Sequence, residues 1–346
     1  MAYEEHDFVK PQRIVDTALA ALEDTLIVPN LFHKEGIDNY KGSDDDTYHV
    51  KVEGVLPYRT YGWRNDRSTP VQFDRYTERK VPVTFGGDLI SGVELTDEQA
   101  LMDTTGWDKL AIKQIEAITR GLEDGAVEAL LDAPYEVVVT LDEADMRGSL
   151  VRLKSVYDRL RVKGSRRLIL GSDVEAAILL DDKITLSQNS SEAVAEQALR
   201  EAVIGRVAGF NLVSSVEMPN TEAVAMVESG FVITTAAPAV PRSIAHGATG
   251  SAGGFAVRWM TDYDADFQVD RSIFRMFKGF RYVDDPLLGK DAVTGQAFVS
   301  EDLHFVRAIK VELGDAFGVE VSNTELADIT GIKDILPGEP EDEELP

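Results

Sequence analysis

The sequence contains no cysteine, which excludes disulfide frameworks, thiolate-bound zinc and a thiol nucleophile together. No apolar run approaches the ~20 residues needed to cross a bilayer as a helix. The opening Met1-Ala-Tyr-Glu-Glu-His-Asp7 lacks the basic and apolar regions of a secretory signal. Positive charge is also scarce: 35 Lys and Arg stand against 61 Asp and Glu in 346 residues, a formal net charge of −26. Affinity for duplex phosphate and for anionic membranes comes from Lys and Arg, so neither a general nucleic-acid surface nor membrane adsorption is expected. These absences together read as a soluble protein of an intracellular setting.

Catalytic signatures are missing as well. The five histidines (His6, His33, His49, His246 and His304) form no i, i+4 metal pair. There is no Gly-x-Ser-x-Gly elbow and no Gly-x-x-x-x-Gly-Lys-Ser/Thr phosphate loop. Glycines 247, 250, 253 and 254 lack the dinucleotide-binding spacing and read as a flexible loop. Asp262, Asp264 and Asp266 start like a calcium loop, but Phe267 stands at its sixth position and Ile273 at its twelfth. The four carboxylates Asp262, Asp264, Asp266 and Asp270 read as the solvated face of a strand over 257–270, with Phe267 and Val269 opposite. No catalytic, cofactor or metal residue is assigned, and no enzyme is expected.

What is present is patterned apolar sequence, 44% of the residues, enough for two or three packed units. Ile14, Val15, Ala18, Leu19 and Leu22 predict a helix over 11–23 opened by Pro11. Tyr48, Val50 and Val52, then Val81, Val83 and Phe85, alternate as the two arms of a long hairpin excursion. Such a ribbon is marginal in water alone, so it is expected to lie on something else, such as another subunit. Thr96-Asp-Glu-Gln99 has capping-box spacing, followed by a stripe through Trp107, Ile115, Ile118, Leu122 and Leu130 on one long helix. Thr140–Glu143 repeats the box before a helix ending near Gly164. A further unit, 165 to about 255, reads as a strand at 168–170, a helix capped at Ser172, a helix over 192–204 and strands at 210–214, 223–227 and 231–234. One strand is expected over 298–312, and residues 315–346, with ten acids and one base, read as a poorly ordered tail.

Local charge departs from the average. Residues 58–80 hold six bases (Arg59, Arg64, Arg67, Arg75, Arg79 and Lys80) against three acids, and 146–167 hold eight against one. Positive patches on an acidic chain suit docking against identical copies, with Arg59, Arg64, Arg67, Arg75 and Arg79 as the candidate subunit-contact residues. For 146–167 a merely solvated helix face explains the charge equally well.

The order of elements resembles the major capsid (coat) protein family of tailed bacteriophages, the HK-97-type fold, to about residue 313. The resemblance rests on Arg167-Leu-Ile-Leu-Gly-Ser-Asp-Val-Glu-Ala-Ala-Ile-Leu-Leu180, on Ile204-Gly-Arg-Val-Ala-Gly-Phe-Asn-Leu-Val-Ser-Ser215, and on Met218-Pro219. It implies an α+β chain with an N-terminal arm (1–40) and an extended loop (41–90). A peripheral domain (91–165 and 257–314) would contain the spine helix with Trp107, Ile115, Ile118 and Leu122. An axial domain (166–256) would carry the motif Gly205, Gly209, Phe210 and Pro219, ahead of the acidic tail (315–346). It further implies self-assembly into pentamers and hexamers of an icosahedral shell enclosing double-stranded DNA without sequence-specific binding, in a virion assembled in the host cytoplasm. Portal and decoration proteins would be partners. Because arm-like sequence starts at residue 1, scaffolding is expected as a separate protein, or the chain is the mature form. The tip carries Arg rather than Lys, with only Lys51 and Lys80 flanking it, so covalent crosslinking is not expected. An encapsulin-like compartment shell and an α/β enzyme with an unrecognised site are the competing readings.

Overall fold

The computed structural model describes residues 11–35, 47–61, 70–71, 73–76, 78–96, 107–181, 205–244, 246–290 and 296–332. Expectations for the arm before Pro11, the 97–99 part of the first capping box, the hairpin tip (including Arg64 and Arg67) and the 192–204 helix lie outside the described residues. Two compact units emerge, one built from the segments 1–49, 82–131 and 231–281 and the other from 50–81, 132–230 and 282–346.

The first unit packs two helices on a sheet. Helix α1 (Pro11–Thr25) buries Val15, Ala18, Leu19 and Leu22, the apolar face its spacing predicts. It ends where Asn30 Nδ2 donates to the carbonyls of Glu23 (2.8 Å) and Leu26 (2.6 Å), satisfying oxygens that helix geometry leaves over. Helix α2 (Trp107–Leu131) buries Ile115, Ile118, Leu122, Ala126 and Leu130. Its Glu123 carboxylate accepts from the Ile27 and Val28 amides at 3.2 and 2.9 Å, fixing the exit of α1. The sheet runs β1 (His33–Glu35), β10 (Phe231–Ala236), β13 (Val269–Tyr282), β12 (Phe255–Asp264) and β11 (His246–Ala252), with β4 (Gly87–Thr96) also paired to β13. Buried Gln114 of α2 joins the layers. Its Nε2 donates to the carbonyls of Ser91 (3.0 Å) and Ser272 (2.8 Å), while its Oε1 accepts from Ser272 Oγ at 2.9 Å.

Two sequence readings change here. The glycine-rich stretch is strand and hairpin rather than loop. Gly253 and Gly254, at φ 58° and 87°, form the two-residue turn between β11 and β12, as a type I′ hairpin requires. Gly250 admits α1: a Cβ there would stand 2.7 Å from Val15 Cγ1. The 257–270 alternation is likewise not one strand. Asp264 Oδ1 accepts from the Asp266 and Phe267 amides (3.0 and 3.4 Å), Gln268 takes φ 55°, and the chain reverses into β13. The reversal is made by an aspartate side chain, without glycine or proline to mark it.

The second unit is a seven-stranded mixed sheet ordered β17 (Gly318–Val321), β5 (Val137–Asp142), β16 (Ala308–Gly314), β9 (Glu222–Val227), β6 (Arg166–Leu170), β8 (Phe210–Ser214) and β7 (Arg206–Val207). Helices α3 (Met146–Leu160) and α4 (Ser172–Leu180) contribute Leu150, Leu153, Tyr157, Val174 and Ile178 to its core. Thr140 lies within β5 and caps nothing. The caps are Asp142, whose Oδ1 accepts from the Ala144 amide at 2.9 Å, and Asp145, whose Oδ1 accepts from the Gly148 amide at 3.4 Å. At α4 no side chain caps; the backbone of Gly171 stands at the N-cap instead of Ser172.

The strand expected over 298–312 is two, β15 (Ala297–His304) and β16, parted where the Phe305 amide donates to Glu136 Oε1 at 2.8 Å. β15 pairs with β14 (Asp285–Lys290). The tail reading fails for 315–332. β17 and α5 (Thr324–Thr330) bury Phe317, Val319, Leu326 and Ile332, and Asn323 Oδ1 caps α5 through the Glu325 amide at 2.9 Å. Apolar residues at strand and helix spacing outweigh the acidic average there. Nor does the unit boundary fall at 165/166 or 256/257. β5 and α3 share the core of β6 and α4, and β10 to β12 belong to the sheet of the first unit.

Between β1 and β4 the chain forms the two-stranded ribbon of β2 (Thr47–Val52) and β3 (Arg79–Thr84), with Val50, Val52, Val81 and Val83 buried. The excursion over 53–78 follows from it.

Candidate interaction surface

Among the described residues no group of three His, Asp or Glu is arranged to hold a metal ion, and no helix is long and apolar enough to cross a membrane. His304 is fully buried, its Nδ1 2.8 Å from Glu136 Oε2 at the start of β5. Burial pushes the phenols of Tyr135 and Tyr157 well above their ordinary range. Tyr157 spends its proton on the Ala225 carbonyl at 2.7 Å, inside the sheet. The carboxylates Asp262 and Asp264 are paired with Arg271 at 3.2 and 2.8 Å, beside the turn that closes the β12–β13 hairpin. These contacts hold strands together.

The candidate contact arginines divide. Arg59 donates with both terminal nitrogens to Asp74, Nη2 to Oδ1 at 2.9 Å, tying the outgoing limb of the excursion to the returning one. That hydrogen bonding lowers the Asp74 carboxyl and raises the Arg59 guanidinium. Arg79 donates to the Asp284 carbonyl. Arg75 is exposed. The docking role read for this set is therefore open at Arg75, while Arg59 and Arg79 already serve contacts within the chain. The 146–167 cluster is used in the same way. Arg152 stacks on Phe317 at 5.2 Å, Arg166 pairs with Asp158 at 2.6 Å, and Arg167 pairs with Glu228 at 3.0 Å.

What the charge reading missed is apolar. Along the excursion Leu56, Tyr58, Val71 and Tyr76 are half exposed or more, and Phe73 is 92% exposed. Single exposed apolar residues are ordinary, but several on one segment mark an interaction surface. Contacts that position the described part of the segment include Gln296 Nε2 to the Thr60 carbonyl at 3.5 Å, the Gly54 amide to the Tyr76 hydroxyl at 3.4 Å, Lys290 over the Tyr58 ring at 5.7 Å, and the Arg59–Asp74 clasp. Bulky side chains held outward by a clasped ribbon can dock by burying apolar area, at about 25 cal/mol per Å². The signal was in the sequence, as aromatic residues interleaved with the arginines between 56 and 76.

The other singled-out residues are architectural. Phe210 is fully buried and meets Tyr157 edge-on at 5.7 Å. Gly209, at φ 93°, turns β7 into β8 with Ala208 at φ 49°. The Pro219 carbonyl accepts from the Glu222 amide at 3.1 Å, and the Gly205 carbonyl from Leu212 at 3.5 Å. Ile115, Ile118 and Leu122 line the buried face of α2, which begins at Trp107.

No protein-family model matches the sequence, and no curated protein matches it. Solved structures match in three dimensions. A structure of Mycobacterium phage Che8 superposes with a TM-score of 0.55 at 13% identity, over 83% of this chain and 91% of that one. The capsid of the Cyanophage P-SCSP1u gives 0.54 at 10% identity, over 91% and 92%. The mature capsid of bacteriophage PhiM1 gives 0.52 at 10% identity, over 84% and 88%. Over most of its length, therefore, the chain has the α+β, HK-97-type fold found in phage capsids.

Proposed function

We propose that this chain is the major capsid protein of a tailed phage, a structural subunit that self-assembles into an icosahedral shell around double-stranded DNA. The observation that carries the reading is a capsid fold matched over most of the chain. The exposed aromatic excursion supports it, since a surface of this kind needs a second molecule to cover it. In this reading the first unit, with the long helix α2, is the peripheral domain with its spine. The second unit, with the Gly205–Pro219 motif, is the axial domain. The acidic composition suits a container for DNA, because a lining that repels phosphate lets the genome move in without adhering. Scaffolding, portal and decoration proteins would be its partners, the virion its location and the host cytoplasm its place of assembly.

The test is negative-stain electron microscopy with light scattering on the purified chain, expressed alone and together with the proteins encoded beside it. Closed shells with five- and six-fold capsomers are expected. A monodisperse 38.0 kDa species under both conditions would overturn the reading.

A further inference from the structure

The face of the first unit's sheet that turns away from α1 and α2 carries an imbalance of charge. Val257 and Phe274 line a crevice with Ala18 and Leu22 of α1 and with Ile115 and Ile118 of α2. Arg258 and Arg275, one residue further along β12 and β13, therefore lie on the opposite face. The two arginines are direct cross-strand partners. Side chains so placed stand about 5 Å apart at Cβ, and like charges there repel. Thr249 of β11 and Ile90 of β4 complete the row on either side.

One carboxylate serves this pair. Asp88 accepts from Arg275 Nε at 3.0 and 2.9 Å, and from its Nη2 as well. Arg258 has no such partner among the described residues. It is only 4% exposed, its Nη1 donates to the Ala239 carbonyl at 2.9 Å, and its Nε is buried without an acceptor. Burial, then the charge of Arg275, pushes its guanidinium below the ordinary arginine range, and Asp88 offsets only part of this. Two guanidinium charges against one carboxylate leave one positive charge at a covered position, and a buried ion without a counter-charge is costly. The segment between β10 and β11 forms the cover: Ala239 accepts from Arg258, and Val240 Cγ1 would stand 3.0 Å from a Cβ at Gly247. Beside that cover the row is open, since Thr249 is exposed and the Arg275 side chain is 33% exposed.

We propose that Arg258 and Arg275 together hold a carboxylate group on this sheet face. A single negative charge balances the row, and the two oxygens of a planar carboxylate suit guanidinium donors. The unused Nε–H of Arg258 is the donor that the site supplies and the chain leaves unfilled. A free small carboxylate and an acidic side chain of a second copy present the same chemistry. The site is built from the first unit's own residues, so it stands whether or not the chain forms a shell.

Thr249 is exposed and directly opposite Arg258, so variants there test the site without disturbing the core. Thr249→Asp supplies the missing carboxylate within the chain, and Thr249→Asn has the same shape without the charge. In the full, unassembled chain, Thr249→Asp should melt about 2 °C or more above Thr249→Asn. Acetate raised to about 50 mM, exchanged for chloride so that the Debye length stays fixed, should raise the melting temperature of the parent and of Thr249→Asn by about 1–2 °C, saturably. Thr249→Asp should not respond. Nitrogen NMR gives a direct readout: the Arg258 Nε–H resonance, identified by its absence from Arg258→Lys, should shift with acetate in the parent and stay still in Thr249→Asp. A parent whose Arg258 resonance and melting temperature ignore acetate would overturn the proposal, and so would a Thr249→Asp that responds as Thr249→Asn does. The source is read separately, from the rate of assembly. Assembly slowed in Thr249→Asp but not in Thr249→Asn assigns the site to a second copy's side chain, and equal rates assign it to a free carboxylate. The melting and NMR measurements need no shell, so their failure is distinct from a failure of the capsid reading.

Discussion

Two glycines of the motif region do different work, and substitution separates them. At Gly171 a Cβ would lie 2.0 Å from the Pro219 carbonyl oxygen and 2.7 Å from that of Asn220, both backbone atoms that cannot swing aside. Gly205 has nothing within 4 Å of a built Cβ and no positive φ. Gly171→Ala is therefore expected to destabilise the second unit by about 3 kcal/mol, and Gly205→Ala to stay within ~0.5 kcal/mol of the parent, both read by urea denaturation. Tyr157 supplies a pH signature. Its phenol stays protonated in the fold because burial disfavours the phenolate, whereas the unfolded chain ionises it near the ordinary tyrosine value of about 10. A folded pKa above the unfolded one gives stability that is complete below about pH 10 and lost as pH rises beyond it, at roughly 1.4 kcal/mol per unit. Tyr157→Phe loses the hydrogen bond to Ala225, about 1 kcal/mol at neutral pH, but escapes the alkaline loss. The stability gap between the two proteins should close about one unit above pH 10. A gap constant to pH 11 would mean the phenol ionises in the fold.

At the scale of the element, the excursion over 53–78 is where charge and burial give different answers about contact. Arg59 is clasped to Asp74, while Phe73 stands 92% exposed and Val71 59%. Phe73→Ser with Val71→Ser should leave the melting temperature of the free subunit unchanged to within a degree or two, because both side chains are mostly exposed, and should abolish assembly seen by light scattering. A double variant that still assembles at the parent rate would return the contact to Arg75. The same contrast shows what sequence periodicity resolves. Helices α1, α2 and α3 and the strands β2, β3 and β8 are legible because each buries one face of a regular period, and β9 and β10 because each is a short apolar run buried on both faces. The 264–268 reversal was illegible because an aspartate side chain and Gln268 make it. The β11–β12 hairpin was hidden because its glycines resemble a loop until α1 is seen packed against Gly250. Residues 315–332 were masked by acidic neighbours, although Phe317, Val319 and Leu326 carry the strand and helix spacing. The aromatic surface was legible in composition and was outweighed by the arginines beside it.

For the whole molecule, the two views of contact make opposite predictions about salt. Each chain carries a net charge of −26, so copies approaching one another repel. Were docking carried by arginines against acidic neighbours, screening would weaken the attraction, and assembly would slow as salt rises. If it is carried by Phe73, Val71 and their neighbours, screening removes the repulsion and leaves the apolar term intact. Raising salt from about 0.1 M to about 1 M shortens the Debye length from ~10 Å to ~3 Å. The rate of assembly, followed by light scattering at fixed protein concentration, should rise across that range. A rate that falls instead would place the contact energy in ion pairs, where the charge pattern of 58–80 alone would put it. A rising rate would mean that the acidity of the subunit acts on contents and on solubility, while the aromatic excursion joins copy to copy.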